Sequence, residues 1–381
     1  MQNQGREPAP ERKRSAARVP IAARILAILQ RETALVVLVL LLIVCSLLSP
    51  HFLTGNNIGN LSDQMAVFGV LACAQMLAIL SGGIDLSVGS VLALGAFFAA
   101  AMSSHGIFVA IVVALFATGV VGLINGIGIA YTRVPPFIIT LAMLSIARGL
   151  SLQFASMANN ASTSGAGASA VSVAPGSGFE NVAESPLPLI PWNIPSGALI
   201  AALAFVALAF VLRYTPFGRH VFAVGGNEAA ALLLGVCVRR VKIAVYTCSG
   251  MLAGLAGILY ASRQVSAPPT AGVTYELDAI AAVVVGGTLL TGGVGTVRGT
   301  FVGLLIIQIL PNIFNLLGLG SNWQQVARGV VLLAVVLMQM VILPSLSIGG
   351  ISIRKGTPSS GASPSTGPSP SAGASPGAAS A

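Results

Sequence analysis

Charged side chains are scarce in this sequence. Asp, Glu, Lys and Arg make up only 8% of the 381 residues, whereas hydrophobic residues make up 55%. A soluble domain carries roughly a quarter charged residues, so this composition excludes an ordinary soluble domain. Because α-helices satisfy their own backbone hydrogen bonds in lipid, we expect an all-α, polytopic bundle of membrane-spanning helices.

Residues that perform catalytic or metal chemistry are also few. The cysteines stand singly in or beside apolar runs without a CxxC pair, and the histidines fall in different loops. They are Cys45, Cys73, Cys237, Cys248, His51, His105 and His220. No nucleophile stands out beside a base. The sequence therefore predicts no catalytic residue, no metal site and no cofactor bound by this chain.

Positive charge is the exception, with 19 Lys and Arg against 10 Asp and Glu. Seven of these basic residues lie in the first 31 residues, and most others fall in short gaps between apolar runs. That distribution is typical of loops held on the cytoplasmic side against anionic lipid headgroups. Aromatic and basic residues do not interleave, so we expect the lipid bilayer as a partner and no nucleic acid.

Ten apolar stretches are candidates to span a bilayer, which takes about 20 helical residues. They lie near 34–49, 65–80, 88–103, 107–130, 136–154, 197–212, 243–261, 277–291, 300–319 and 326–344. The stretches 65–80 and 277–291 are short and flanked by glycine, so we expect them to be broken or tilted. With both termini cytoplasmic, 16 of the 19 basic residues fall on the inner side, as the positive-inside rule requires.

This topology divides the chain into a membrane domain, 34–345, and two cytoplasmic tails. The tail 1–33 is basic, whereas 346–381 is rich in Ser, Pro, Gly and Ala, a composition typical of disorder. Within the membrane domain, 155–196 is expected to form an external loop and 214–242 a long cytoplasmic loop.

Two glycine-rich turns of similar sequence interrupt the apolar stretches, at 81–90 and 291–300. They are candidates for corresponding turns of a duplicated unit, a common device in transporters. The first contains Asp85, a carboxylate near membrane depth that is costly unless it is partnered. It indicates a gate, a coupling-ion site or a contact with a partner. The alternative is a tight turn in which Asp85 caps the next helix.

The cytoplasmic loop contains a short predicted helix. Asn227 suits its N-cap, Glu228 its first turn, and Gly235 its end. So short a helix is not stable alone, and it needs something to pack against. It either lies on the lipid headgroups, held by basic neighbours, or docks onto a soluble partner.

Four blocks of sequence resemble the permease subunits of ribose-type ATP-binding cassette (ABC) sugar importers. They are SGGIDLSVGS at 81–90, the stretch 123–141, the block 215–230, and the glycine pairs Gly286-Gly287 and Gly292-Gly293. The blocks occur in the family's order, and the resemblance extends from about residue 33 to 345. It implies the ABC importer permease fold and a place in the bacterial inner membrane.

The resemblance also implies partners. Two permease copies would line the path, a periplasmic sugar-binding protein would deliver the substrate, and a separate ATPase with its ATP and Mg would drive alternating access. The family's coupling helix matches 226–235, which would rest on that ATPase. The coupling positions are Gly226, Asn227, Glu228, Ala229, Ala230 and Gly235, with Arg219 nearby. Many relatives carry Arg where this chain has Ala231 and a polar residue near Leu234, so the helix here is more apolar.

A path for neutral sugars needs scattered polar side chains among small residues. Candidates for the path or gate are Asp85, Ser87, Gln75, Asn125, Arg148, Asn312 and Asn315, with Ser145, Gln153 and Gln308. An interhelical hydrogen bond is the competing explanation for each. Arg148 is expected to face the interior or to pair with a carboxylate or carbonyl other than Asp85. Pro311 is expected to kink its span.

Other functions stay open on these residues. A branched-chain amino-acid or nucleoside permease of the same importer class is the nearest alternative, although the block 81–90 favours sugars. An ion-coupled secondary transporter would use intramembrane carboxylates, for which Asp85 and Asp278 are the nearest candidates. A membrane enzyme is disfavoured for want of a reactive cluster.

Overall fold

The computed structural model describes residues 33–161, 170–185, 194–320, 322–326, 329, 330 and 333. Helices dominate the described residues. The first five are α1 Thr33–Leu48, α2 Gly55–Leu80, α3 Val88–Met102, α4 Ile107–Tyr131 and α5 Pro136–Ala161, with a 3-10 turn at Ser103–His105 after α3. The later ones are α6 Asn181–Glu184, α7 Ser196–Tyr214, α8 Pro216–Gly226, α9 Glu228–Leu233, α10 Val238–Gln264, α11 Tyr275–Val285 and α12 Val297–Leu316.

One small sheet accompanies the helices. The two-residue strands β1, Val171–Ser172, and β2, Ser266–Ala267, pair in antiparallel fashion. β1 and α6 both fall inside the predicted external loop 155–196, and α5 continues to Ala161, seven residues beyond the predicted span. This loop therefore has regular structure in the part that is described.

Seven helices within the described ranges are long and apolar enough to cross a membrane. They are α2, α3 with its 3-10 turn, α4, α5, α7, α10 and α12. The helix α1 is apolar but has only 16 residues. The prediction of an all-α polytopic membrane bundle is confirmed, whereas ten spans are not reached. The predicted span 326–344 and the tails 1–33 and 346–381 fall largely or wholly outside the described residues.

Two predicted spans need correction. The stretch 65–80 is part of α2, a continuous helix of 26 residues, so it is not broken. The stretch 277–291 is not a full span, because α11 has only 11 residues and is about 16 Å long, half of a bilayer core. It stops because Gly286 follows Val285 as the C-cap and Gly287 has a φ of 85°, which a helix cannot contain.

The core is built around α10, which packs against α2, α3 and α4. Small residues allow this approach. A Cβ added at Gly254 would meet the Thr118 side chain of α4, and one added at Gly257 would meet the Leu92 carbonyl of α3. Contacts between small residues replace the hydrophobic effect as the force that joins helices in lipid. Pro311 lies inside α12, which continues through it.

Candidate functional site

The predicted short helix is present and is capped at both ends. Asn227 ends α8 and begins α9, where its side-chain oxygen accepts a hydrogen bond from the Ala230 N–H at 2.9 Å. After α9, Gly235 has a φ of 82°. Its N–H donates to Leu232, and the Val236 N–H donates back to Ala231 at 3.0 Å. This pair of bonds is the Schellman arrangement, so the cap chemistry predicted for Asn227 and Gly235 is confirmed.

The capped helix presents an apolar tip. Leu232, Leu233 and Leu234 are 63%, 89% and 83% exposed, whereas Ala231 is 2% exposed and anchors the helix on the bundle. We call these three leucines the leucine tip. Beside it, Glu228 accepts two hydrogen bonds of 2.8 Å from the Lys242 ammonium of α10. Arg219, Ala229 and Ala230 are exposed around it.

Three glycine-containing segments meet at the base of the leucine tip. The residues in contact are Gly82, Gly225, Gly226, Gly292 and Gly293, and we call their meeting place the glycine junction. A Cβ added at Gly225 would collide with the Leu80 carbonyl and lie 2.7 Å from the Gly293 nitrogen. The Gly293 N–H donates to the same Leu80 carbonyl at 3.0 Å. The two similar glycine turns therefore contact one another, with the end of α8 between them.

Asp85 is buried beside this junction, at 1% exposure. One carboxylate oxygen accepts from the Ser87 N–H at 3.0 Å and the Ser87 hydroxyl at 2.6 Å, and the other accepts from the Ser249 hydroxyl of α10 at 2.8 Å. The Asn125 amide of α4 donates to Ser87 at 2.9 Å. This Asp85 network ties the turn to α4 and α10.

The tight turn expected as the alternative is present, and Asp85 accepts a backbone N–H immediately before α3. The cap residue of α3 is Ser87, and Asp85 binds the N–H of that residue rather than the N–H groups of the first helical turn. Among the described residues no ion pair involves Asp85. The carboxylate is instead held by hydroxyl and backbone donors.

The remaining path candidates do not form one site with Asp85. Gln75 is fully buried in α2, and neither of its side-chain amide atoms has a hydrogen-bond partner among the described residues. Arg148 donates to the carbonyls of Pro269 and Ala271, both at 2.7 Å, as the carbonyl alternative predicted. Asn315 lies at the far end of α12.

A polar cavity lies at that far end. Its volume is about 240 Å³, and its lining is five carboxamide side chains, one guanidinium and one leucine. The lining residues are Asn57, Asn60, Gln64, Arg263, Asn312, Asn315 and Leu316. We call this space the carboxamide cavity. Sequence reasoning found Asn312 and Asn315 but missed the other polar members, because 55–64 was placed outside the span.

The floor of the carboxamide cavity is a reciprocal amide pair. The Asn57 amide donates to the Asn312 oxygen at 3.0 Å, and the Asn312 amide donates back at 2.8 Å. Asn57 also donates to the Phe52 carbonyl at 2.8 Å. Both side chains are buried, at 7% and 4% exposure. At the wall, Arg263 forms an ion pair with Asp63.

No cluster of metal-ligating side chains occurs in the part of the chain that the structure describes. A helical bundle with a capped apolar tip at one end and a polar cavity at the other is suited to moving a solute. The architecture defines the chain as a multipass membrane protein of the permease class.

Comparison with known proteins gives the family. A family model described as "Branched-chain amino acid transport system / permease component" matches residues 57–336. The ribose import permease protein RbsC of Bacillus subtilis (strain 168) is 42% identical over 303 residues, which cover 79% of this chain and 90% of that protein. Its Escherichia coli (strain K12) counterpart is 40% identical over 319 residues, 81% and 94% of the two chains.

An arabinose protein is also similar. The L-arabinose ABC transporter permease protein AraH of Azospirillum brasilense is 36% identical over 341 residues, 88% of this chain and 95% of that protein. No solved structure matches the chain. The chain belongs to the permease-component family that this model describes, and the resemblance noted in the sequence is confirmed.

Proposed function

We propose that this chain is the transmembrane subunit of an ABC importer that moves a monosaccharide of the ribose or arabinose kind. The observation that carries the proposal is the leucine tip. It is the exposed, apolar end of a short helix that is capped at both ends. The relatives named for ribose and arabinose import support the substrate class.

The leucine tip is suited to a soluble ATPase. Three adjacent leucines exposed beyond 60% form an apolar surface of the kind that marks a protein contact. Burial of each leucine side chain contributes about 1.5–3 kcal/mol toward docking. ATP and Mg belong to that partner, and the present chain is non-catalytic.

The glycine junction supports alternating access. It joins the base of the tip directly to the backbone of α2 and to the loop before α12. Backbone packs directly on backbone there. A displacement of the tip would therefore move α2 and the loop before α12, because no flexible side chain lies between them to absorb it. A second copy of the permease completes the path, and a periplasmic sugar-binding protein delivers the substrate.

The distribution of basic residues supports an inner-membrane orientation with both termini and the tip in the cytoplasm. Cys237 is exposed two residues after Gly235 and reports on this directly. Labelling of Cys237 in intact cells by an impermeant thiol reagent would contradict the orientation.

The decisive experiment changes Glu228 and Ala229, at the start of the helix α9 that carries the leucine tip. In the importer reconstituted with its ATPase and binding protein, Glu228→Arg combined with Ala229→Arg should leave membrane insertion intact. It should lower sugar uptake by about tenfold or more, because two bulky cations enter the dock. Uptake and binding-protein-stimulated ATP hydrolysis are measured together.

The control is His220→Arg, which adds one positive charge on α8 outside the tip and should behave as wild type. Wild-type stimulation of hydrolysis in the double variant would refute docking by this helix. Uptake of a branched-chain amino acid but of neither D-ribose nor L-arabinose would assign the chain to the alternative substrate class. Counterflow without the ATPase would favour an ion-coupled transporter.

A further inference from the structure

The hydrogen-bonding groups of the carboxamide cavity match those of a sugar. A carboxamide offers two donors and two acceptor lone pairs, and a hydroxyl group both donates and accepts. At the floor, Asn57 has used both of its N–H donors, which leaves it one lone pair. Asn312 retains one N–H and one lone pair after the reciprocal bonds. The floor therefore offers a buried donor and two acceptors within one amide pair.

Arg263 is the one charged residue among the described residues that line the cavity. The Arg263 guanidinium is paired with Asp63, and the lining contains neither Asp nor Glu. A zwitterionic amino acid would need an anionic partner for its ammonium group, and the lining offers none. Neutral, hydroxyl-rich molecules need no such partner.

The size and the gradient of exposure suit a small ligand that is bound weakly. A volume of about 240 Å³ is below the roughly 300 Å³ at which pockets for drug-sized molecules begin. Asn57 and Asn312 are buried at the floor, whereas Asn60 and Asn315 are exposed at the rim. A solute can enter and leave along the same polar side chains.

The carboxamide cavity lies far from the glycine junction. Asn57 and the Leu80 carbonyl lie at opposite ends of α2, roughly 35 Å apart by helical rise. α10 and α12 run in the opposite direction to α2, so Arg263 and Asn312, near the C-terminal ends of these helices, lie at the same end of the bundle as Asn57, remote from the glycine junction. If the tip is cytoplasmic, the cavity faces the periplasm.

We infer that the carboxamide cavity is a weak binding site for a neutral monosaccharide on the periplasmic side of the permease. The inference rests on the proposed function and adds the place on this chain where the sugar is held. It also identifies Asn57, Asn60, Gln64 and Arg263 as members of that place.

Binding is tested without transport. In purified full-length Asn60→Cys protein, a small thiol reagent should modify the new cysteine at the rim. D-ribose at about 100 mM, well above the millimolar range of a weak site, should slow this modification by about threefold or more. Cys237, exposed at the other end of the molecule, should react at the same rate with and without the sugar. Labelled peptides are quantified by mass spectrometry.

Uptake provides the second measurement. Asn57→Leu with Asn312→Leu replaces both members of the floor pair by apolar groups of similar shape, which limits the cost to folding. In the reconstituted importer it should lower D-ribose uptake by about tenfold while stimulated ATP hydrolysis remains, because the tip is untouched. Asn60→Ala, at the exposed rim, should lower uptake by about threefold even if the double variant fails to assemble.

The control is Asn56→Leu, which alters the exposed neighbour of Asn57 outside the lining. Equal labelling of Asn60→Cys with and without D-ribose, and with and without L-arabinose, would overturn the inference. Wild-type uptake by Asn60→Ala and by an assembled double variant would also overturn it. Protection by sugar in a wild-type importer that moves no sugar would refute the proposed function and leave the binding site standing.

Discussion

The two ends of α2 are built in opposite ways. At Leu80 the neighbours are glycines, and backbone meets backbone with no room for a methyl group at Gly225, Gly292 or Gly293. At Asn57 the neighbours are carboxamides, and side chains bond to one another around an open cavity. The backbone contacts at the Leu80 end leave no space for water, whereas the cavity at the Asn57 end has space for it.

This difference teaches how one helix can serve two purposes. Where backbone packs directly on backbone, no flexible side chain can absorb a displacement, so the junction is suited to transmit one. A lining of amides can exchange partners at little cost, because every amide that loses one hydrogen bond finds another or a water molecule. Under the proposed function, the first end would transmit motion and the second would meet the solute.

The largest effect is expected from a methyl group in the glycine junction. Gly225→Ala places a Cβ against the Leu80 carbonyl, which is already bonded to Gly293. Overpacking costs about 1–3 kcal/mol and occasionally more, and the upper end is expected here because the new Cβ meets backbone rather than a flexible side chain. Sugar uptake should fall with the melting temperature. The matched control for stability is Gly226→Ala, where no atom lies within 4 Å of the new Cβ.

Thermal unfolding of the two purified variants distinguishes them. Gly225→Ala should melt at a clearly lower temperature than wild type, and Gly226→Ala should not. Equal melting temperatures for Gly225→Ala and wild type would show that the backbone at the junction moves to accommodate the new methyl group. The contrast between the two ends of α2 would then disappear.

An intermediate effect is expected at the Asp85 network. Asp85→Asn places an amide N–H₂ where a carboxylate oxygen accepts from a serine hydroxyl. One buried donor then loses its acceptor at a cost of about 1–3 kcal/mol. Uptake and melting temperature are compared with those of Ser249→Ala, which leaves the second Asp85 carboxylate oxygen without its donor and should cost at least as much. Wild-type uptake and melting temperature in both variants would show that the Asp85 network does not support the turn.

The smallest effect is expected at the surface of the leucine tip. Glu228→Gln removes the ion pair with Lys242, but the Glu228 side chain is 56% exposed. Exposed pairs contribute about 0–1 kcal/mol, so the free energy of unfolding should change by no more than that. The difference between the variant and wild type should shrink further at high salt. A larger decrease in the free energy of unfolding would show that the Glu228–Lys242 pair stabilises α9.

Local chemistry explains what was predictable from the sequence. Asn227 and Gly235 were identified because a cap and a left-handed stop depend on neighbours within a few residues. The membrane class followed from composition. Gly286-Gly287 carried the same kind of stop signal, yet the predicted span 277–291 ran across it, because its apolar residues continue beyond the turn.

Distant partners explain what was missed. Asn57, Asn60 and Gln64 read as loop residues, although α2 begins before them. Their place in a cavity depends on residues such as Asn312, which bonds to Asn57 from 255 positions away in the chain. Ser249 gave no signal, since a lone serine among apolar residues acquires meaning only beside Asp85. The carboxamide cavity and the Asp85 network are products of tertiary structure.

The leucine tip also bears on how the chain must be made. Under the proposed function, a cell that synthesises this subunit before the ATPase leaves three adjacent leucines in water, a surface that chaperones and proteases bind. Balanced production of the two subunits would then protect the newly inserted chain from degradation. For laboratory expression, the consequence is that the two subunits should be produced together from the start.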